Sequence, residues 1–378
     1  MEATAPSAGS DELDRVWQRL RPRFARAEMR VRCRRYLHGL LGQAMRKNGW
    51  QLAEAAGERT PHGMQELLDR AVWDADAVRD DLRAYVAEQL GDPAAVLVSD
   101  ETGFRKKGTQ SVGVQRQYSG TAGRTENCQI GVFLAYASPR GHACLDRTRY
   151  LPQRWAEDAA RRAEAGVPED VAFATKGDLA QALLARAFAA AVPAAWVTGD
   201  EVYGHDGGLR RWLDGERRPY VLAVARSHPV WQDGRQVRVD ALLEQIPETG
   251  WQRIAVGAGS KGSRRYDWAW ARLPYWTEDG WAQWLLLRRS VSHPEELAFY
   301  RAFSPEEATV AALVRVAGTR WTIEGCFEEA KGQVGLDQYA VRRWDGWHRH
   351  VTLALLAHAV LAATRAAAAT KGGAPTTR

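Results

Sequence analysis

The sequence predicts an α/β fold: a sheet flanked by helices, with an all-α region ahead of it and a β-rich insertion inside it. Three observations carry this. Two short, mostly aliphatic runs, Ala94–Val98 and Ala194–Gly199, each lead to an acid at the head of a polar turn, Asp100 and Asp200. Apolar residues recur with helical period before the first run, between the two, and again after about residue 306. Between 228 and 305 the texture changes to tryptophan-rich alternation, the pattern of strands.

A chain of 378 residues exceeds one small core and predicts two or three structural units. Hydrophobic residues at 45% and charged residues at 26% place it among soluble globular proteins. No run approaches about 18 consecutive apolar residues, and the opening MEATAPSAGSDEL lacks a basic segment followed by an apolar one. Export and membrane insertion are therefore not expected, and the cytoplasm, in association with the nucleoid, is. Cys33, Cys128, Cys144 and Cys326 have no CxxC or Cys/His spacing, which speaks against a zinc site and a disulfide framework. A net charge of +6 and a pI near 9.2 point to a polyanionic partner only if the charge is localised, and it is. Arg15 to Trp50 holds eleven Lys and Arg against one acid, Glu28, whereas Gln51 to Asp92 holds ten acids against four arginines.

Residues up to about Ser10 read as unstructured. Glu12–Asn48 has helical period, with Phe24, Met29, Val31, Tyr36, Leu37, Leu40 and Leu41 inward. A basic helix with an apolar side can lie along a phosphate backbone, with Arg30, Arg34 and Arg35 as its contacts; a solvated charged face is the alternative. QLAEAAGERTPHGMQELLDRAVWD reads as helix, turn at Gly57, Pro61 and Gly63, and second helix, either a helix-turn-helix or a plain hairpin. Asp74–Leu90 is a further helix and completes a helical, basic region over 1–92, which would suit DNA as a partner.

The first part of a catalytic core then spans 93–227. Its strand Ala94–Val98 ends in a polar turn that delivers Asp100 to the rim of the sheet, with Arg105, Lys106 and Lys107 on the loop behind it as phosphate contacts. On spacing alone, the cap of a turn is the better reading of Asp100. Strands follow at Ser111–Tyr118, Cys128–Ala137 and His142–Tyr150, then helices at Pro152–Ala165 and Asp178–Ala191 with a turn at Lys176, Gly177 and Asp178. Ala194–Asp200 repeats the first strand's logic, followed by a turn, EVYGHDG, and a helix from Gly208 to Asp214. Two parallel neighbouring strands would bring Asp100 and Asp200 together at the carboxyl edge, where sites of α/β folds lie. Pro219–Ala225 is another buried strand.

Residues 228–305 read as an inserted β-rich subdomain whose tryptophans (Trp231, Trp251, Trp268, Trp270, Trp276, Trp281, Trp284) form its core or, alternatively, a platform for unpaired bases. Ser304, Pro305, Glu306 and Glu307 read as a helix start. The remaining core, 306–368, carries the third acid. Along TRWTIEGCFEEAKG, Arg320, Glu324 and Lys331 fall within a roughly 40° arc at about 100° per residue, beside an apolar side of Ile323, Cys326 and Ala330. An exposed charge ladder is the plain reading; a cation, acid, cation face at a sheet edge holding two aspartates reads as a site. Gly346–Ala369 is a last apolar helix, and the tail 369–378 reads as disordered. None of the nine histidines has clear ligand spacing; His142 and His205 come nearest.

Three acids suit two divalent ions, Mg²⁺ or Mn²⁺, because hard cations take oxygen ligands and two-metal displacement at phosphorus needs shared carboxylates. Arg320 and Lys331 would pair with the phosphate.

At this point the motifs resemble a family. DETGF on one strand, GDEVYG on a second and RWTIEGCFEEAKGQVGLDQYAVRRWDGWHRH on a helix and its sequel are similar to bacterial insertion-sequence DDE transposases, superfamily endonucleases with an RNase H-like core. The resemblance covers nearly the whole chain. It implies that Asp100, Asp200 and Glu324 are a metal-binding catalytic triad, and that a β-rich insertion separates the second aspartate from the glutamate. Arg320, Glu324 and Lys331 match the spacing of a group with a Tyr, Arg, Glu, Lys signature, whose tyrosine position is Ala317 here. The partners implied are DNA, both terminal inverted repeats and target, and a second copy in a synaptic complex. A domesticated DNA-binding protein without transposition is the alternative. A glycan hydrolase using a carboxylate pair fits less well, since it has no anion for the cations beside the acids.

Overall fold

The first elements of the chain are helices whose caps are written in the sequence. A computed structural model of the protein describes residues 8–372 apart from 121–122, 260–261, 276 and 278; the expected unstructured residues 1–7 and 373–378, and Trp276, lie outside the described residues. Helices α1 (Ala8–Leu20), α2 (Ala27–Leu41), α3 (Gly49–Ala55), α4 (His62–Asp69) and α5 (Ala75–Leu90) lead the chain. The single helix expected over Glu12–Asn48 is broken. Pro22 sits in a 3₁₀ turn, Arg21–Arg23, and Phe24 is extended and buried, so the chain turns before α2 starts at Ala27. Phe24, Met29, Tyr36, Leu37 and Leu40 point inward as expected, but Val31 is exposed. Asn48 caps α3 and Asp74 caps α5, each accepting two backbone N–H groups.

Part of the segregated charge pairs inside this region. Arg19 grips Glu88 at 2.7 and 2.9 Å, Arg23 grips Asp81 at 2.8 Å through two nitrogens, and Arg32 pairs with Glu66 and Glu28. The basic helices therefore fold onto the acidic segment that follows them.

The sheet forms next. Strand β1 (Val96–Arg105) is followed by β2 (Gln115–Ser119), β3 (Arg124–Ser138) and β4 (Gly141–Tyr150). Helices α6 (Gln153–Ala156), α7 (Ala159–Ala165) and α8 (Lys176–Ala189) lead to β5 (Trp196–Gly199), α9 (Glu201–His205), α10 (Gly207–Gly215) and β6 (Tyr220–Val224). β1, β5 and β6 are parallel neighbours, and β3 runs antiparallel to β1. Two sequence expectations are corrected here. Lys176, Gly177 and Asp178 are the first turn of α8, closed by a Thr175/Asp178 capping box, and EVYGH after Asp200 is the helix α9. α9 lies flush on β6: a Cβ on Gly204 would come within 1.7 Å of the Ala223 carbonyl oxygen, so only glycine fits.

The tryptophan-rich segment holds the hairpin β7 (Pro229–Gln232) and β8 (Arg235–Arg238), then β9 (Gln252–Gly259), β10 (Gly262–Arg272), β11 (Trp281–Ser290) and β12 (Leu297–Pro305). β12 pairs with β6, so among the described residues one sheet runs β2-β3-β1-β5-β6-β12-β11-β10-β9, with β4 on β3. Trp268 is buried, Trp270, Trp281 and Trp284 are half-buried against the core, and Trp231 is exposed. The helix start expected at Ser304 is the end of β12; the next helix, α11 (Val310–Thr319), is capped by Thr309.

Helices α12 (Thr322–Val334) and α13 (Trp344–Gly372) close the chain. α13 is long and apolar enough to cross a membrane by length and composition, yet two-thirds of its apolar window is buried within the fold, as a core helix would be. It joins the amino-terminal helices to the sheet: Tyr36 Oη lies 2.7 Å from His350 Nδ1, and Arg349 donates to the carbonyls of Leu68 and Trp73. The last residues expected to be a disordered tail remain helical to Gly372.

Candidate active site

β1 does not end before Asp100. It runs on to Arg105 because β3 pairs with it throughout, from Val96↔Ala137 to Arg105↔Cys128. Asp100 therefore sits within a ten-residue strand and not on a rim turn, which corrects the sequence expectation. β5 is shorter. Its parallel ladder with β1 ends at Ser99↔Gly199, so Asp100, still on β1, and Asp200, the cap of α9, are the next residues along the two neighbouring chains. Alternation sends Asp100 to one side of the sheet with Thr102 and Phe104, and Asp200 lies close enough to it there to raise its carboxyl.

That side is the one α12 covers. Thr102 and Phe104 follow Asp100 on it, and Lys331 of α12 donates to Thr102 Oγ1 at 2.8 Å and to the Gly103 carbonyl at 3.2 Å. Two turns earlier on α12 stands Glu324, its side chain half exposed, bound to Arg320 at 3.1 Å. Arg320 also acts on the aspartates. Burial, then Asp200 and Glu101, push the Asp100 carboxyl well above the usual range, and Arg320 pulls it back. Asp200 is pushed up to about 6 by burial and then by Glu101, while its hydrogen bonds to backbone N–H groups and Arg320 act in the opposite sense. The structure thus brings Asp100, Asp200, Arg320, Glu324 and Lys331 to one side of the sheet. It does not close the three acids on a point: among the described residues no group of three or more His, Cys, Asp or Glu is set to hold a metal ion.

The other candidates are dispersed. Arg105 and Lys107 are exposed at the end of β1. Lys106 turns inward, over the Tyr339 ring at 3.5 Å, and burial pushes its ammonium down to about 7. Arg30 donates to the carbonyls of Phe24 and Ala25, Arg34 pairs with Asp14, and Arg35 with Glu58, the last two at the surface. His142 lies 3.8 Å from Glu329, and His205 stacks on His228. A cavity of about 390 Å³ opens beside Thr319 and Trp321, between α11 and α12 on one side and Tyr266, Trp268, Arg288 and Tyr300 on the other.

The profile of the DDE superfamily endonucleases matches residues 19–253, and that of the transposase DDE domain matches residues 163–360. The chain belongs to the DDE transposase family. A relative, the probable transposase for insertion sequence element IS701 of Microchaete diplosiphon, is 27% identical over 331 residues, which span 82% of this chain and 77% of that protein. The mixed sheet flanked by helices is an RNase H-like DDE fold, and DDE enzymes in general use divalent metal ions.

The aspartate pair of this DDE transposase suits such an ion. Two carboxylates, side by side and largely buried, hold protons more tightly than free aspartates because no cation fully offsets them, and a hard divalent cation would. A stability prediction follows from the sign of the shift. Asp200 rises from an ordinary value of 3.8 to about 6, so its favourable contribution is present below about pH 4 and is lost as pH climbs through 6. In chelator at pH 8, Asp200→Asn should therefore be more stable than the wild type, by roughly 1–3 kcal/mol, and the difference should vanish near pH 4. Thermal melts at the two pH values measure this; a variant less stable than wild type at pH 8 would refute it.

Sequence reasoning missed Glu101, Lys176 and Tyr203, which meet behind the aspartates. The sequence carried no signal for them, because DETGFR reads as a turn; only once β1 runs through it does alternation put the second acid of DET on the opposite face from the first.

Proposed function

We propose that the chain is a DNA transposase that binds the terminal inverted repeats of its element, hydrolyses DNA at the ends and joins the freed 3′-hydroxyl to target DNA. The observation that carries this reading is the adjacency of Asp100 and Asp200 on the face that also receives Arg320, Glu324 and Lys331. Asp100, Asp200 and Glu324 would hold two Mg²⁺ or Mn²⁺ ions, which supply water activation and stabilise charge at an in-line displacement on phosphorus. Arg320 holds Glu324 while DNA is absent; a phosphate arriving at Arg320 competes for the guanidinium and frees the carboxylate to turn toward the aspartates. Lys331, anchored on the β1 backbone beyond Asp100, offers its charge to the same phosphate.

Arg105 and Lys107 extend the cationic track along the sheet end. In the amino-terminal helices, the surface pairs Arg34–Asp14 and Arg35–Glu58 are each worth about 1 kcal/mol or less, so both arginines can exchange their partners for backbone phosphates. The chain would act in the cytoplasm, on nucleoid DNA, as a dimer once two ends are synapsed.

The test is cleavage of a labelled duplex carrying the element's own end, with Mg²⁺ or Mn²⁺, comparing wild type with Glu324→Gln. Metal-dependent nicking at the end, lost in the variant while binding persists, is the expected result. Binding without cleavage under any divalent metal would turn the reading toward a domesticated DNA-binding protein, and no binding at all would remove it.

A further inference from the structure

The pairing that aligns the two aspartates stops one residue short of them. The β1–β5 ladder ends at Ser99↔Gly199, and beyond it β5 gives way to α9, whose cap is Asp200. No ladder bond therefore fixes Asp100 against Asp200, while their charges drive them apart. Something else has to hold the spacing.

Glu101 is placed to do so. Alternation turns it to the sheet face opposite Asp100, where each of its oxygens is occupied: Lys176 Nζ lies 2.5 Å from Oε1 and Tyr203 donates to Oε2 at 2.8 Å. Tyr203 is fully buried, and it belongs to α9, three residues after Asp200. Lys176 opens α8, pinned by the capping box at Thr175. One carboxylate is thus a single residue from Asp100 along the chain and hydrogen-bonded to the helix that begins at Asp200. Lys176 offsets its charge, so the link adds less repulsion to the aspartate pair than a bare third carboxylate would.

We propose that Glu101, with Tyr203 and Lys176, is a positioning cluster that sets the separation of Asp100 and Asp200 and so tunes their affinity for divalent cations, without itself binding metal. The inference rests on the reading of the two aspartates as metal ligands. Glu101 turns to the sheet face opposite Asp100, and both its oxygens are engaged.

The experiment is Mn²⁺ binding to the full chain without DNA, followed by titration calorimetry or by the electron paramagnetic resonance of free Mn²⁺. It compares wild type, Tyr203→Phe, Glu101→Gln and the double variant. Tyr203→Phe keeps the ring and removes only the hydroxyl. It should weaken Mn²⁺ binding by about 10-fold, raise the Mg²⁺ concentration needed for half-maximal cleavage by a similar factor, and leave the rate at saturating metal close to wild type. The double variant should lose no more than the worse single variant, since both break one link. Tyr203→Phe binding Mn²⁺ as tightly as wild type would overturn the inference, and so would a lower melting temperature with unchanged metal affinity, the mark of a merely structural contact. Wild type that binds no Mn²⁺ would overturn the metal reading of the aspartates and this inference with it; wild-type binding with an unaffected variant would overturn the positioning role alone.

Discussion

Asp200→Asn should lower single-turnover cleavage of the element end by at least about a thousandfold, with DNA binding in chelator unchanged or slightly tighter. The substitution is chosen to separate chemistry from fold. Asparagine keeps the side-chain oxygen that accepts the Val202 N–H at 2.9 Å, so the cap of α9 survives. What disappears is one negative charge of the pair. A factor of a thousand corresponds to about 4 kcal/mol, which is a reasonable loss when a buried anionic oxygen ligand becomes a neutral one. Asp100→Asn should act in the same direction, since its Oδ1 accepts from the N–H of Glu101 and an amide oxygen can keep that contact. Binding is expected to hold because neither change removes a cation, and losing a negative charge near the phosphate path favours the polyanion. The measurement is the rate of nicking at saturating Mg²⁺, alongside melting curves and binding titrations on the same preparations. A variant that cleaves at more than a tenth of the wild-type rate would remove Asp200 from the chemistry.

The neighbourhood of these aspartates was legible in the sequence because the signal was local: two aliphatic runs that each met an acid, at Val98 and at Gly199. That the two runs pair in parallel was a condition of the reading, and the ladder of β1 with β5 meets it. The extent of β1 was not legible. DETGFR looks like a turn, with two acids, a glycine and a cation in six residues, and only tertiary partners make it a strand. Lys176 and Tyr203 take Glu101, Lys331 takes Thr102, and Phe104 packs among Phe133, Tyr339 and Trp347. The amino-terminal charge shows the same limit. Composition gave the segregation into a basic and an acidic stretch, but whether the two meet depends on how α1, α2 and α5 pack, and Arg19–Glu88 spans 69 positions of sequence. The continuation of the sheet from β6 into β12 was hidden for a related reason, since edge pairing across an insertion leaves no periodic trace in either strand. On α12 the helical arc of Arg320, Glu324 and Lys331 was visible. The pairing of Arg320 with the half-exposed Glu324 is the i, i+4 charge ladder that the same spacing also allowed.

Asp146→Ala should produce the largest loss of stability of any single carboxylate deletion, about 3–5 kcal/mol. Asp146 lies on β4 with its side chain fully buried, and three arginines from two helices converge on it. Arg83 of α5 reaches Oδ2 at 3.1 Å, Arg186 of α8 holds both oxygens at 3.0 and 3.1 Å, and Arg79 of α5 stands at 3.7 Å. Removing the carboxylate leaves these guanidinium groups facing one another, with Asp80 and Asp76, both on the solvent side, as their remaining acids. The cost is then the desolvation of cations that have lost their counter-charge, added to their mutual repulsion, and no small rearrangement relieves it because α5 and α8 are both packed on the sheet. Glu88→Ala provides the contrast. It deletes an equally well-formed bidentate partner, of Arg19, but at half-exposed positions where water replaces it, and it should cost about 1 kcal/mol or less. Urea denaturation of wild type and both variants, read by tryptophan fluorescence, would check the difference; an Asp146→Ala midpoint as close to wild type as that of Glu88→Ala would sink the argument. Because α5 carries Arg79 and Arg83 while α8 begins at Lys176, the residue paired with Glu101, a chain weakened at Asp146 should also lose definition at the aspartates. Its metal affinity should fall along with its stability, whereas Tyr203→Phe should lower metal affinity with little change in stability.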